Sequence, residues 1–402
     1  MKKRNDRDMK KIAIKKKQST KFTKGYPLVQ RKDLVEPLET EHDDQLVMFV
    51  NEDETFLSYG YVSEQNKGIG WMLSFNQSEP ITESWLMKQL RYAIERRASF
   101  FNDDLTTAFR LVNGEGDGLG GVTLDWYDGF LVISWYNRGI IKQKNRMVQA
   151  IRQLLPETKG IYEKIRFKSE EYDYESAFIS GQEAPEPLLV LENGVTYATY
   201  MNEGLMTGIF LDQKEVRGKL TEGLAVGKTV LNMFSYTGAF SSAALMGGAS
   251  HTTSVDLAKR SREKTEEQFN VNGFDTETQD IIVMDVFDYF RYANRKGKSY
   301  DVIVLDPPSF ARNKKKTFSV VKDYEQLVSD ACDILNPDGY LIASTNAANL
   351  TYDKFVEMVE SGIKKKNKRF KAVDHFRLPK DFVVSPQFKE GNYLKVLLYK
   401  VD

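Results

Sequence analysis

Asp301-Val302-Ile303-Val304-Leu305-Asp306-Pro307-Pro308-Ser309-Phe310 is an apolar strand pattern that ends in an acid and two consecutive prolines. Each proline locks its own φ angle and restrains the residue before it, so the chain leaves the strand in a rigid extended turn. The turn presents carbonyl groups, the Asp306 carboxylate and the Phe310 ring at one end of the strand, a combination that a merely structural turn seldom needs. On both sides of it strand and helix patterns alternate, which is how a parallel sheet covered on both faces is written. The strand candidates are 229–233, 252–255, 281–284, 301–305 and 340–344, with helical segments at 239–246, 258–272, 287–294 and 323–335. Two last strands, 371–376 and 393–399, have no helix between them, which predicts an antiparallel pair at the end of the sheet.

In an open parallel sheet, ligands sit beyond the carboxyl ends of the strands, so the residues that follow each strand carry the information. The first such group is Phe234-Ser235-Tyr236-Thr237-Gly238-Ala239-Phe240, where Gly238 lets backbone approach a ligand. A dinucleotide enzyme wants G-x-G-x-x-G here to seat a pyrophosphate on the helix N-terminus, and one glycine stands in place of three. The second is Val255-Asp256, a carboxylate able to accept hydrogen bonds from both hydroxyls of a ribose. The third is Met284-Asp285-Val286-Phe287, where a carboxylate, backbone amides and an aromatic ring could read and stack an adenine. An acid after a strand is also a helix N-cap, and for Asp256 both roles stay open. Asp306-Pro307-Pro308 is the fourth group and the most specific.

A chain of 402 residues exceeds what one hydrophobic core usually serves, so two or three domains are expected. Apolar content of 41% and charged content of 28% are ordinary for a globular protein and leave the functional class to the motifs. The formal net charge is zero, yet the first 24 residues carry eleven lysines and arginines, Lys15, Lys16 and Lys17 among them, against Asp6 and Asp8. That density suits phosphate contact or a solubilising tail. The single cysteine, Cys332, forms no intrachain disulfide and excludes a multi-cysteine zinc site; no metal is expected, and a reducing cytoplasm is the expected location. No apolar run reaches the ~20 residues that span a bilayer, and no apolar core follows the basic start, so neither a membrane segment nor a secretory signal is expected.

Ahead of the alternating region, apolar segments at 46–50 and 55–62 predict a small β domain ending near Phe75. Residues 82–101 place Trp85, Leu86, Leu90, Ala93 and Ile94 at helical spacing and open a middle region. It holds the glycine-rich turn 113–121, a strand at 130–135 and a helix at 142–155, and it ends in a linker at 182–187. The expected domains are therefore 1–75, a basic arm with a β module; 76–188, an α+β middle domain; and 189–402, the α/β domain.

Asp306-Pro307-Pro308-Ser309-Phe310-Ala311-Arg312, Phe234-Ser235-Tyr236-Thr237-Gly238-Ala239-Phe240 and Val255-Asp256-Leu257 resemble the bacterial large-subunit (23S) rRNA methyltransferases, which join a PUA-like domain, a middle domain and a class I methyltransferase domain. Arg110-Leu111-Val112-Asn113-Gly114-Glu115, Asp117-Gly118-Leu119 and Thr207-Gly208-Ile209-Phe210-Leu211-Asp212-Gln213 extend the likeness from the middle region to the C-terminus. A fainter PUA-like match lies at Lys24-Gly25-Tyr26-Pro27. The resemblance implies a Rossmann-like α/β sheet of seven strands, the last one antiparallel. It implies S-adenosylmethionine as cofactor, held by Asp212, Gln213, Phe234, Ser235, Tyr236, Thr237, Gly238, Asp256, Leu257, Asp285, Val286 and Asp306. Ribose would meet Asp256, adenine would lie near Asp285, and the methionine end between the Phe234 turn and Asp306. It also implies 23S rRNA or a large-subunit precursor as partner, and a homodimer, since dimerisation occurs among relatives.

Many members of that family methylate cytosine C5, which a cysteine must first activate by attack at C6. Here the loop reads Ala343-Ser344-Thr345-Asn346-Ala347-Ala348-Asn349, with Asn346 in the cysteine's slot, and Cys332 sits in a helical pattern that suits a core residue. The branch that methylates guanine N7 also resembles this sequence. N7 brings its own lone pair, so positioning suffices. The expected catalytic group is Asp306, Pro307, Pro308, Phe310 and Asn346, with Asp306 and Asn346 orienting an extruded guanine and Phe310 stacking on it. Exocyclic-amine transfer competes, because Asp-Pro-Pro motifs also serve amino groups. Arg312, Lys314, Lys315 and Lys316 follow the turn and are expected to hold RNA phosphates, whereas Lys364, Lys365, Lys366, Lys368 and Arg369 read as a solvated helix face. A non-catalytic RNA-binding assembly factor is the alternative of another class.

Overall fold

The computed structural model describes residues 9–38, 45–65, 68–312 and 317–402, with Arg312 described by its backbone alone. Three sheets follow one another along the chain. The first contains β1 (Lys11–Ile14), α1 (Lys16–Thr23), β2 (Leu28–Val29), β3 (Leu46–Asn51), β4 (Phe56–Gln65) and β5 (Gly68–Ser74), in the order β1-β3-β4-β5-β2. The expectation of a free basic arm is corrected from Lys11 onward. Ile12 and Ile14 alternate into the core with Phe22 and Phe49, so β1 pairs in parallel with β3 and α1 closes one face. Its cations are partly neutralised within the fold: Lys11 pairs with Glu54, Lys16 with Asp53 at 3.0 Å, and Lys21 with the buried Asp33 at 2.9 Å.

The second sheet begins after α2 (Glu83–Arg96), whose N-terminus is capped by Thr82 Oγ1 accepting from Trp85 N at 3.2 Å. Its strands are β6 (Ala108–Asn113), β7 (Val122–Tyr127), β8 (Phe130–Trp135), β9 (Gly160–Ile165) and β10 (Ser176–Gly181), ordered β10-β9-β8-β7-β6. Helices α3 (Arg138–Ile141) and α4 (Lys144–Leu154) carry the crossover that makes β8 and β9 parallel. One face packs Phe109, Leu124 and Ile133 against α2, α4 and the Tyr61–Trp71 stack of the first sheet, so these two parts share one core. The other face, with Tyr127, Val132 and Tyr162, packs against the hairpin of β11 (Leu188–Glu192) and β12 (Val195–Thr199).

The third sheet is the expected α/β domain. After α5 (Lys214–Lys219) come β13 (Thr229–Met233), α6 (Ala239–Met246), β14 (His251–Asp256), α7 (Arg260–Asn270), β15 (Asp280–Val283), α8 (Val286–Arg295) and β16 (Tyr300–Leu305). A short hairpin, β17 (Phe310–Arg312) with β18 (Thr317–Ser319), precedes α9 (Val320–Cys332), β19 (Leu335–Thr345), α10 (Tyr352–Lys364), β20 (Phe370–Phe376) and β21 (Lys395–Val401). The order is β15-β14-β13-β16-β19-β21-β20, and β21 runs antiparallel to both neighbours. This is the Rossmann-like class I methyltransferase sheet with its last strand reversed. Leu231 of β13 is in register with Thr253 on one side and Ile303 on the other, so the strands end together on one rim. No helix among the described residues is long and apolar enough to cross a membrane.

A buried polar network joins this rim to the second sheet. Arg97 donates to both oxygens of Asp117, at 2.7 and 2.8 Å, and to the Asp381 carbonyl at 2.6 Å. The Asp381 carboxylate in turn accepts from Arg110 N at 2.8 Å and Lys214 Nζ at 2.7 Å. The segment between β20 and β21 is thereby fixed against β6, which sets the width of the cleft beside the rim.

Candidate active site

At the carboxyl ends of β13, β14, β15, β16 and β19 lies a cavity of about 420 Å³. That is within the range of about 300–1,000 Å³ usual for small-ligand sites. Its wall brings together Asp212, Gln213, Phe234, Ser235, Tyr236, Asp256, Leu257, Asp285, Val286, Asp306, Pro307, Pro308 and Asn346.

The turn after β13 is held in an uncommon conformation. Phe234 and Tyr236 have φ of 58° and 52°, a left-handed region that side chains other than glycine seldom occupy. Three hydrogen bonds over-determine it: Ser235 N to Val255 O at 3.0 Å, Tyr236 N to Asp256 Oδ2 at 2.9 Å, and Thr237 Oγ1 to Gly208 O at 2.7 Å. Gly238, at φ 79°, has a packing role. A Cβ there would lie 2.5 Å from the Thr265 side chain, so the glycine lets the turn pack onto α7. Thr237 and Gly238 stand behind the cavity wall and shape it through the backbone.

Asp256 accepts from Tyr236 N at 2.9 Å through one oxygen and from Ala258 N at 2.8 Å through the other. Each carboxylate oxygen can accept a second bond, so the turn-fixing role and a ribose-binding role are compatible. Asp285 is the N-cap of α8, its Oδ1 accepting from Phe287 N at 3.0 Å and Asp288 N at 3.2 Å. Next to it the wall turns apolar: Phe318 packs its ring 5.6 Å from Phe287 and 6.1 Å from Phe234.

At the opposite end, Gln213 Nε2 donates to Asp306 Oδ1 at 3.0 Å and to Ser344 Oγ at 2.7 Å. Burial pushes the Asp306 carboxyl up to about 6; hydrogen bonds from Ser344 and Gln213 oppose the rise, and the neighbouring Asp212 adds to it. Burial also raises Asp212, whose Oδ2 accepts from Tyr393 O–H at 2.8 Å. Beneath the double proline, Tyr324 O–H donates to Leu305 O and Ser344 O, tying β16 to β19. Ser309 Oγ donates to Asn346 Oδ1 at 2.8 Å, so the loop after β19 and the proline turn form one surface.

Phe310 departs from expectation. In a strand alternate side chains face opposite ways, and here Ala311 with its partner Phe318 takes the cavity side, leaving Phe310 66% exposed. Lys314, Lys315 and Lys316 lie outside the described residues, as does the Arg312 side chain. Lys15 Nζ donates to Lys32 O at 3.1 Å, and Lys17 is exposed, both far along the chain from the rim. Lys364, Lys365 and Lys366 pair with Glu360, Glu325 and Asp333, in keeping with a solvated helix face. Cys332 is buried in α9, and burial pushes its thiol up to about 12. Phe287, the aromatic read beside Asp285, is on the wall, and Met206, Ile209, Phe210, Arg260 and Phe318 on it were missed. Phe210 lay inside a family-like block and could have been found there; Met206 belongs to a segment with no periodicity.

A carboxylate that retains acceptor capacity, an apolar slot and a buried acid fit the ribose, base and amine of an adenosyl amino acid. One further observation supports the fit: Gln213 Oε1 is buried and has no hydrogen-bond partner among the described residues, an acceptor awaiting an N–H group.

Comparison with known proteins agrees with this geometry. Residues 110–400 match the S-adenosylmethionine-dependent methyltransferase family, and residues 12–75 match a PUA-like domain. YwbD of Bacillus subtilis (strain 168), provisionally named a ribosomal RNA large subunit methyltransferase, is 47% identical over 97% of this chain and 99% of its own length. The ribosomal RNA large subunit methyltransferase I of Pseudoalteromonas translucida (strain TAC 125) is 30% identical over 97% of this chain and 96% of that protein. Among solved structures, SMU.776, provisionally called a methyltransferase and crystallised with SAH, matches with a TM-score of 0.90 at 45% identity, covering 98% of this chain and 100% of that one.

Proposed function

The chain belongs to the S-adenosylmethionine-dependent methyltransferase family and carries a PUA-like domain ahead of it; from that premise we propose that it methylates N7 of a guanine in 23S rRNA. The relatives named for large-subunit rRNA, matched over nearly the whole chain, support the substrate class.

One observation carries the choice of atom: Asn346, not a thiol, stands beside Asp306 on the cavity wall. A cytosine-C5 mechanism needs a thiolate at C6. Cys332 is buried at the end of α9 with its thiol pushed up to about 12, which leaves no thiolate for that step. Asn346 Oδ1 already accepts from Ser309, so its Nδ2 is the group left to face a ligand, as a donor. The N7 edge of guanine presents O6 as an acceptor next to N7, which matches a donor. An exocyclic amine would call for an acceptor in that place.

S-adenosylmethionine supplies the electrophilic methyl carbon. With the donor held there, N7 would attack that carbon with its own lone pair while the methyl–sulfur bond breaks and its electron pair stays on the departing thioether sulfur; no proton is removed, so the protein's work is orientation and charge. The Pro307–Pro308 turn holds its backbone rigid beside the transfer path, and Gln213 aims the Asp306 carboxylate there. Ionised Asp306 favours positive charge nearby both before transfer, on sulfur, and after it, on the purine. In this reading 189–402 performs transfer while the front two parts present the RNA.

Digesting 23S rRNA from a deletion strain to nucleosides and quantifying them by mass spectrometry tests the proposal. Loss of 7-methylguanosine, restored by the wild-type gene and not by Asp306→Ala, is expected. Unchanged 7-methylguanosine with 5-methylcytidine or an N2-methylguanosine lost would overturn it.

A further inference from the structure

Next to the donor cavity lies a second one of about 450 Å³, between the rim of the third sheet and the second sheet. Five residues line both: Met206, Ile209, Phe210, Asp212 and Asn346. The two spaces therefore share a wall, and that wall includes the residue beside the proline turn. On the far side stand β7, β8 and β9, which contribute Tyr127, Ser134 and Lys164, followed by Tyr136 and Arg166 just beyond the strands.

The charges in this cavity do not cancel. Arg110 is neutralised by Asp125, with bonds of 2.5 and 3.3 Å; Asp212 accepts from the neutral Tyr393 hydroxyl and keeps its charge, so Lys164 and Arg166 leave the lining with an excess of positive charge. Lys164 and Arg166 have no carboxylate within ion-pair distance among the described residues. Lys164 donates to Gly204 O at 2.5 Å and Arg166 Nη2 to Leu205 O at 2.7 Å, while Arg166 Nε is buried with no acceptor at all. Lys164 is buried and Arg166 half-buried, and Glu175 and Glu203 act on Lys164 only from beyond ion-pair distance, so an anion that joins the two cations is favoured. Burial and the nearby Arg166 already push Lys164 down to about 8. A phosphodiester is an anion suited to a guanidinium fork, and the rings of Phe210, which is exposed, and Tyr136 offer stacking surface of the kind single nucleotides use.

We infer that this second cavity receives the target nucleotide once it is extruded from its helix, with the base against Phe210 and Asn346 and its phosphate at Arg166. The inference rests on the RNA methyltransferase reading and deepens it: the second sheet becomes one wall of the nucleotide site, and the family-like Arg110–Asn113 block acquires a reason to sit beside the rim. Lys164 acts as a positioning residue, holding the Gly204 carbonyl and adding its field.

The test uses the full chain, labelled S-adenosylmethionine and 23S rRNA from the deletion strain, with label incorporation measured whatever the nucleotide. Two variants probe the cavity alone: Arg166→Met removes the guanidinium whose Nε has no acceptor, and Ala348→Trp fills the mouth from an exposed loop position that lines only this cavity. Both should bind S-adenosylmethionine by calorimetry with wild-type affinity yet transfer label about tenfold or more slowly. Arg166→Met should also lower the salt slope of RNA binding by about one, and Arg166→Lys should restore that slope. Label transfer at wild-type rates by both variants overturns the nucleotide pocket alone. A wild-type chain that binds the donor and labels no RNA overturns the RNA reading and the pocket with it.

Discussion

Gln213 Nε2 lies 3.0 Å from Asp306 Oδ1, so a residue just ahead of α5 orients the carboxylate that ends β16. The contact spans the strand rim and makes the most specific acid of the site depend on a segment far from it in sequence. Gln213→Leu keeps the volume and removes the donor. A misoriented group typically costs about 10²-fold in rate, and that loss is expected in kcat with the donor's binding weakened as well.

The raised Asp306 carboxyl gives a pH dependence with a defined sign. Its folded value of about 6 stands above the ordinary 3.8, so the folded chain holds this proton more tightly than the unfolded one. The stability it contributes is complete below about pH 4 and is lost as pH rises through about 6. Activity runs the other way, because transfer uses the ionised form: kcat/KM for the donor should rise through an inflection near 6. Asp306→Asn should flatten both the thermal-stability profile and the acid limb of the rate profile.

Cys332→Ala tests the exclusion of covalent chemistry. The side chain is buried in α9, so removing it should cost roughly 1 kcal/mol in urea unfolding while single-turnover methyl transfer stays at the wild-type rate. A loss of transfer without a matching loss of fold would put a thiol back into the mechanism.

Much of this was legible beforehand where punctuation and periodicity agreed. β8 (Phe130–Trp135), β13 (Thr229–Met233) and α6 (Ala239–Met246) begin and end where their patterns put them, with Gly129 ahead of β8 and Gly238 and Gly247 on either side of α6. The acids at Asp256, Asp285 and Asp306 were found because strand ends converge on one rim. α1 was hidden because it buries one residue, Phe22, and is otherwise polar, so its lysines read as a tail. Phe310 was misplaced because a three-residue strand gives no alternation to read, and its facing is decided by the pairing of Ala311 with Phe318. The second cavity was hidden because its lining comes from residues far apart in sequence, from Arg110 and Lys164 to Asn346 and Phe382.

That meeting should be costly to break. Arg97→Met takes two hydrogen bonds from the buried Asp117, leaving it Asn113 N and Arg96, and frees the Asp381 carbonyl; removing one partner of a buried pair costs about 3–5 kcal/mol, and the remaining partners set the lower end of that range. Thermal unfolding should show a large drop in Tm. If the variant still folds, RNA methylation should fall more than donor binding, because Phe382, next to Asp381, lines the second cavity and not the first.

Gly238→Ala puts a Cβ 2.5 Å from Thr265 at a φ of 79°. Both effects destabilise, by more than the ~1 kcal/mol usual for such a change. Weaker donor binding is expected, and a paired Thr265→Ser change should recover part of it by removing the methyl group that the Cβ meets.

The most direct measurement incubates the purified chain with methyl-labelled S-adenosylmethionine and 23S rRNA from a strain lacking the gene, then maps the labelled nucleotide. Label on a single guanine, in a form that borohydride reduction and aniline convert to chain scission, is the predicted result. Label recovered as 5-methylcytidine, or none in RNA despite donor binding, would contradict the account.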